Sequence, residues 1–545
     1  MNNRHSSLLL LLSFLMGVFT IQISNKLTPA DVKSAAKIMD LDFTAAEIDS
    51  LLPNLEDAME DYRANRALKI DNGLAPSIIF NPLPAGFKIP TVERPSKWSK
   101  SKVVEMPDNK DELAFFTVKD LGYLLRTKQT TSLELTQFFL ERLKKYDQQL
   151  HFVITLTEDL ALAQARKADK LLASGTYLGP LHGIPYGAKD LLAKKGYKTT
   201  WGATPFKNQV IDVDATVIQK LEEAGAVLCA KLTLGALAWG DVWYGEKTRN
   251  PWNPETGSSG SSAGSASAVA AGCLPFAIGT ETLGSIVSPS TVCGTTGLRP
   301  SFGQVSRHGA MALSWTMDKI GPLCRSVEDC AMVYDAIRGA DVKDNSMIPA
   351  AFNYNANWDF KKLRVGYVKA DFENDYAFKN QDSLSLLKLK EMGIELIPIE
   401  LPDMPNIRFI LSAEAAAAFD EMTRSGQDDK LVRQVNNAWP TVFRTARFIP
   451  AVEYIQANRL RTQLIADMAK VMEDIDVYIA PSWGSSSLVI TNFTGHPAVV
   501  LPNGFKEGMP TSITFTGQLF EEAKVLALAK AFQDATGFDK KHPSL

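Results

Sequence analysis

Residues 256–285 read TGSSGSSAGSASAVAAGCLPFAIGTETLGS, and no other part of the chain limits its fold as strongly. Glycine- and serine-rich runs are ordinarily solvated tethers. A tether has polar flanks on both sides. This run passes straight into SAVAAGCLPFAIG, a string of small and apolar residues suited to burial. A backbone stripped of side chains and then buried is one that something else approaches closely. The stretch therefore reads as a site inside a domain, not as a joint between two.

Common motifs with this composition fit poorly. A phosphate loop requires GxxxxGK[ST], and no lysine follows these glycines. Gly260-Ser261-Ser262-Ala263-Gly264 matches the GxSxG nucleophile elbow, with His308, His496 or His542 to serve as base. That elbow is entered from a strand, and TRNPWNPET precedes it here. An SxxK match at Ser385-Leu386-Leu387-Lys388 lies in a charged, helix-like stretch without a KTG partner and reads as a solvated face.

Around the site the chain alternates helix and strand. SLELTQFFLERLKKYDQQL, TEDLALAQARKADKLLASG and EEAKVLALAKAFQDATG have helical periodicity, and VIQKLEEAGAVLCAKL reads as a helix followed by a short buried strand. KLRVGYVKA and DVYIAPSW read as buried strands. This predicts an α/β domain whose helices cover a largely buried sheet. Upstream, Thr28-Pro29-Ala30-Asp31 and Thr44-Ala45-Ala46-Glu47 are helix starts, the second a capping box opening a helix to about Ala67. Its Ile48, Leu51, Leu52, Leu55, Met59 and Tyr62 share a face that is expected to pack. NPLPAGFKIPTVERPSKWSK reads as an extended connector. The expected division is a leader at 1–24, a helical unit at 25–80, the connector at 81–111 and the main domain at 112–545.

A chain of 545 residues, 45% hydrophobic and 22% charged, can bury one large core. A net charge of -3 and the lack of a dense Lys/Arg cluster give no electrostatic case for nucleic acid. In MNNRHSSLLLLLSFLMGVFTIQIS, Arg4 and His5 precede an apolar run from Leu8 to Phe19, the shape of a secretory signal peptide and short for a membrane span. Export to the periplasm or exterior is expected. The alternative is an uncleaved anchor with weak membrane association, since no small-x-small cleavage site follows. Cys229, Cys273, Cys293, Cys324 and Cys330 are odd in number and scattered; they read as buried free thiols, not as disulfides or zinc ligands.

The longer stretch GSSGSSAGSASAVAAGCLPFAIGTETLGSIVSPSTVCGTTGLRPS resembles the signature of the amidase signature family of serine hydrolases. That pattern runs GGSSGGSxxAVAAG, GTDxGGSIRxPA and CGxxGLKPT. Gly183-Ile184-Pro185-Tyr186-Gly187-Ala188-Lys189-Asp190 is similar to the family's GxPxxxKD, and Asn492-Phe493-Thr494-Gly495-His496-Pro497-Ala498 to its N-x-TG-x-PA. The resemblance implies the amidase signature fold, a central mixed β-sheet covered by helices on both faces. It also implies a Ser-Ser-Lys triad that uses no metal or cofactor. By position Lys189 is the base, Ser261 the bridging serine that follows a cis peptide, and Ser285 the nucleophile. The backbone N–H groups of Thr282, Leu283, Gly284 and Ser285 would form the oxyanion hole. The implied partner is a small-molecule amide; fatty, aryl, peptide and small amides all suit related enzymes. Trp201, Trp239, Trp243 and Trp252 are candidate pocket walls near the motifs.

The chemistry makes physical sense from these residue types. A serine hydroxyl is a weak nucleophile until a base takes its proton. A lysine at its ordinary pKa of about 10.4 is charged, so it must be desolvated to serve near neutrality. Ser261 could then pass the proton from Ser285 to Lys189 and return it to the leaving amine, while backbone N–H groups hold the oxyanion.

Several positions depart from the pattern. Leu283 stands where the family has Gly, and a left-handed φ there would strain it and push its side chain toward the acyl pocket. Ala263 replaces a Gly. Glu281 replaces Asp and Val287 replaces Arg, as if a charged support pair had been exchanged; Glu281 paired to another base would bear this out. LTPADVKSAAKIMDLDFTAAEIDSLLPNLEDAMEDYRA resembles the small C subunit of the tRNA-dependent amidotransferase, whose catalytic component belongs to the same family, and implies a built-in brace. The sequence favours an exported amidase. The competing readings are an amidotransferase A-type subunit releasing ammonia from glutamine, and an amidase-fold binding protein without turnover.

Overall fold

A computed structural model describes residues 27–545. The leader reading falls on residues outside this range. Among the described residues no helix is long and apolar enough to cross a membrane. The chain divides into two units: residues up to Asp71 with Phe448–Pro450, and Asn72–Arg447 with Ala451–Leu545.

In the first unit, helices Pro29–Ile38 and Ala45–Arg66 start where the caps predict, each with a complete capping box, Thr28 with Asp31 and Thr44 with Glu47. The expected packed face on the second helix is only partly realised. Ile48 is buried, whereas Leu55 and Tyr62 are 36% and 53% exposed. Periodicity marks a face that could be buried, and burial itself depends on what lies opposite.

The second unit is built on strands β1 (Val153–Leu156), β2 (Pro185–Lys189), β3 (Val227–Leu232), β4 (Arg249–Asn250), β5 (Asn253–Gly257), β6 (Phe276–Glu281) and β7 (Thr296–Arg299). They are followed by β8 (Lys319–Cys324), β9 (Val365–Val368), β10 (Leu396–Ile399), β11 (Val477–Pro481), β12 (Ala498–Lys506) and β13 (Met509–Gly517). Eleven of these form one mixed sheet in the order β1-β3-β2-β6-β8-β7-β12-β13-β11-β9-β10, flanked by helices. β2 runs parallel to both β3 and β6, and every residue of these three strands is buried. Strands covered on both faces carry continuous small and apolar runs, as PYGAK, VLCAKL and FAIGTE do. Helices Ser132–Leu150 and Glu158–Ala173 pack Leu140, Leu143, Ala161 and Ala165 against Val227 and Leu232 of β3. β4 and β5 make a separate two-stranded ribbon. TRNPWNPET therefore contains short strands where the sequence reading saw none.

From Asn72 on, the chain leading into the proline-rich connector, and the connector itself, form an extended strap laid along this unit. The Asn72 side chain donates to Ala312 O at 3.1 Å and accepts the Ala312 N–H at 2.7 Å. Phe80 meets Phe302 edge-on at 5.0 Å, with the Arg461 guanidinium 3.5 Å over the Phe80 ring. Farther on, Ser99 bonds both Glu328 oxygens at 2.6 Å. All five cysteines are buried free thiols, as expected. The SxxK stretch is helical, but Ser385 is buried and accepts from Asn503 at 3.0 Å, so it does not lie on a solvated face.

Candidate active site

Parallel pairing brings the carboxyl ends of β2 and β6 to one edge, the usual place for a site in such sheets. Lys189 ends β2 and Glu281 ends β6. The Gly/Ser stretch crosses above them: residues 258–262 form a loop, the cis peptide falls between Gly260 and Ser261, and helix Ala263–Ala270 follows. Loop 235–240 backs the crossing so closely that a Cβ on Gly260 would lie 1.9 Å from Gly240 O. Gly260→Ala should therefore cost about 3 kcal/mol or more, since two backbones must separate to admit one methyl. A urea unfolding curve measures it, and a midpoint equal to the parent's would refute the close fit.

Lys189 is fully buried. Its Nζ lies 2.8 Å from Ser261 Oγ, 2.8 Å from Thr280 Oγ1, 3.1 Å from Ser262 Oγ and 3.3 Å from Thr280 O. No carboxylate among the described residues touches it. Burial pushes its pKa down to about 7, against a weaker upward pull from Asp318 and Glu281. The two serines beside it are not equivalent. Ser262 Oγ donates to Thr280 O at 3.0 Å and accepts the Thr280 N–H at 3.1 Å. Its proton is thus committed, leaving Ser261 as the serine able to give a proton to a neutral Lys189. This removes the elbow reading, which needs Ser262 free beside a histidine. His496 bonds Thr494, His542 stacks on Phe115, and burial holds His496 down to about 3.

Ser285 is part-exposed, and the Ser262 N–H donates to its carbonyl at 3.2 Å. The turn that carries it is stabilised from within. Glu281 Oε2 accepts the N–H groups of Ile286 at 2.8 Å and Val287 at 3.0 Å, the two that follow Ser285. Its other oxygen accepts from Arg299 Nη1 at 2.9 Å and Asn492 Nδ2 at 2.8 Å. Both charges of the Glu281–Arg299 pair are fully buried. Arg299 also donates to Thr491 Oγ1 and His496 O at 2.8 and 3.0 Å. Glu281 thus pairs with a base on β7, the rearrangement expected if Val287 had replaced an arginine.

Leu283 carries no backbone strain. The left-handed residue is Gly284, at φ +91°, and Leu283 packs its side chain against the buried cluster that includes Met317, Ile490 and Phe493. Among the described residues, no protein acceptor bonds the N–H groups of Leu283, Gly284 or Ser285. Thr282 is fixed through its hydroxyl, which donates to part-buried Asp318 at 2.6 Å. Sequence reasoning did not single out Thr280, Arg299, Asn492 or Asp318. Thr280, Arg299 and Asn492 lie inside the motif blocks, so position in the pattern was their only signal. Of the four tryptophans, Trp239 meets Trp439 edge-on at 4.5 Å and Trp201 lies 4.6 Å from Phe206, while Trp252 donates to Cys293 O.

Residues 134–526 match the family model described as Amidase. The chain belongs to the amidase signature family. Its enzymes act on amide C–N bonds. This family member is 31% identical over 480 residues to the A subunit of the glutamyl-tRNA(Gln) amidotransferase from Coxiella burnetii, covering 79% of this chain and 99% of that protein. It is 32% identical to the corresponding protein from Thermoanaerobacter pseudethanolicus, over 79% of this chain and 98% of that one. The crystal structure of native peptide amidase from Stenotrophomonas maltophilia superposes with a TM-score of 0.69 at 27% identity, over 77% of this chain and 97% of that one. The helical unit before residue 134 lies outside the family match.

Proposed function

We propose that this family member cleaves a carboxamide C–N bond by forming an acyl-enzyme on Ser285, with Lys189 as the base and Ser261 as the proton relay. The observation that carries this reading is a buried lysine surrounded by hydroxyl and carbonyl oxygens and no carboxylate. Such a lysine is neutral for much of the time near pH 7 and can accept a proton. Ser285 attacks the amide carbon, its proton passes through Ser261 to Lys189, and the tetrahedral oxyanion meets the N–H groups of the 283–285 turn. The relay reverses to protonate the leaving amine, and water releases the acid.

A second reading has specific support: the curated relatives named above are A subunits of glutamyl-tRNA(Gln) amidotransferases. On that reading the same chemistry acts on glutamine and the ammonia passes to a partner. One experiment addresses both. The chain is labelled with a fluorophosphonate, the adduct is located by peptide mass, and glutamine and simple primary amides are compared as substrates. An adduct on Ser285 with turnover of simple amides supports the free-standing amidase. Turnover of glutamine alone supports the amidotransferase component, and an adduct elsewhere refutes the triad assignment.

A further inference from the structure

The turn that carries Ser285 is held by a carboxylate at each end. Behind it, Glu281 takes the N–H groups of Ile286 and Val287. In front, the Thr282 hydroxyl donates to Asp318 Oδ1 at 2.6 Å. The other oxygen of Asp318 accepts the N–H groups of Leu313 at 2.8 Å and Ser314 at 2.9 Å. Asp318 therefore joins the turn to segment 312–318, and that segment is fastened from three sides. Asn72 of the strap holds Ala312 at both of its backbone groups. Glu414, on helix Phe409–Ala418, accepts from Ser314 Oγ at 2.6 Å and from the Thr316 N–H and hydroxyl at 3.1 and 2.8 Å. Arg461, on helix Ala451–Val471, donates to Thr316 Oγ1 at 2.8 Å and to Thr316 O at 3.0 Å. A firm anchor matters here. Among the described residues no protein acceptor bonds the N–H groups of Leu283, Gly284 and Ser285, so their direction depends on what holds the ends of the turn.

We propose that Asp318 is a positioning residue of the reaction: through Thr282 it aims the N–H groups of the 283–285 turn at the developing oxyanion. The proposal rests on Ser285 as the nucleophile. The charge of Asp318 adds an effect on the base. Among the described residues Glu281 has Arg299 at 2.9 Å, whereas no cation pairs with Asp318. Arg307 attracts Asp318 from beyond ion-pair distance, and burial holds the adjacent Lys319 well below its ordinary pKa. Burial lowers the pKa of Lys189, and against it Asp318 and then Glu281 pull upward. A carboxylate without a close counter-charge favours the ammonium that forms on Lys189 as Ser285 attacks.

The test labels the full chain with a fluorophosphonate from pH 5 to 9 and locates the adduct by peptide mass, with urea unfolding to establish that each variant is folded. Thr282→Val keeps the shape and removes the bond to Asp318. Its plateau rate should fall about tenfold, the worth of one hydrogen bond to a charged group. Thr282→Ser restores the hydroxyl and should label within about twofold of the parent. Asp318→Asn keeps both sets of bonds, because its oxygen can face the two N–H groups while its amide donates to Thr282 Oγ1. It removes only the charge. The midpoint of the acid limb should move to lower pH and the plateau should fall, because a weaker base transfers the proton more slowly. A residue that only supports the fold would leave that midpoint in place. Parent-like labelling in Thr282→Val, or an Asp318→Asn profile with the parent's midpoint, would overturn the proposal and leave the nucleophile assignment standing. A parent chain with no adduct on Ser285 would refute that assignment and the proposal with it.

Discussion

Lys189→Met is expected to slow acylation of Ser285 by about 10²–10⁴-fold, the usual contribution of a positioned base. The variant should stay folded, because methionine fills a similar volume and removes the cost of burying an amine. Thr280 O also accepts from Ser262, so the loss of the lysine does not leave that carbonyl unpaired. The pH profile separates this from a structural effect. With Lys189 at about 7, labelling should fall about tenfold per unit below that pH and level off above it. In Lys189→Met the residual rate should not follow this curve. A parent profile flat from pH 5 to 9 would refute Lys189 as the base.

The same lysine links pH to stability. Its native pKa lies below the ordinary 10.5, so between about 7 and 10.5 the unfolded chain holds a proton that the native chain lacks. Stability therefore rises with pH across that window, by at most about 1.4 kcal/mol per unit, and Lys189→Met should remove that component. Urea unfolding at pH 7 and pH 9 for both proteins measures the difference.

What the sequence disclosed of this site followed chain continuity. The run from Ser258 to Ala271 had to be buried because small residues lead into an apolar segment, and it is buried nearly throughout. Helices such as Ser132–Leu150 and Glu522–Thr536 were legible because caps and periodicity are local. Contacts between distant strands were not. Thr280 meets Lys189 because β6 lies beside β2, and that neighbourhood is a property of the sheet. The concern over Leu283 failed by one residue, since a motif names the position of a turn but not which residue takes the positive φ. Burial misled in both directions: Leu55 and Tyr62 were expected inside and are exposed, and Ser385 was expected outside and is buried.

Arg299→Leu should cost about 3–5 kcal/mol, because it leaves the Glu281 carboxylate buried without its counter-charge. The Asn492 and backbone N–H bonds remain, but dipoles offset a buried charge less well than a guanidinium does. Removing both charges together, in Glu281→Gln with Arg299→Leu, should cost clearly less than the sum of the two single changes; additive costs would refute the coupling. The acid limb supplies an independent check. Burial alone would raise the Glu281 pKa, but Arg299 outweighs it and draws the group down to about 2, below the ordinary 4.5. The ionised pair therefore contributes its full stability above pH 4.5 and loses it as the pH falls toward 2, a slope that Glu281→Gln should lack. The pair also bears on catalysis, because Glu281 holds the two N–H groups that follow Ser285. Glu281→Gln keeps an acceptor oxygen there, whereas Glu281→Ala removes it. Labelling of Ser285 should be retained better in the glutamine variant than in the alanine variant under conditions where both are folded. Equal labelling would show that the carboxylate supports the fold alone and that Ser285 is positioned by the rest of its turn.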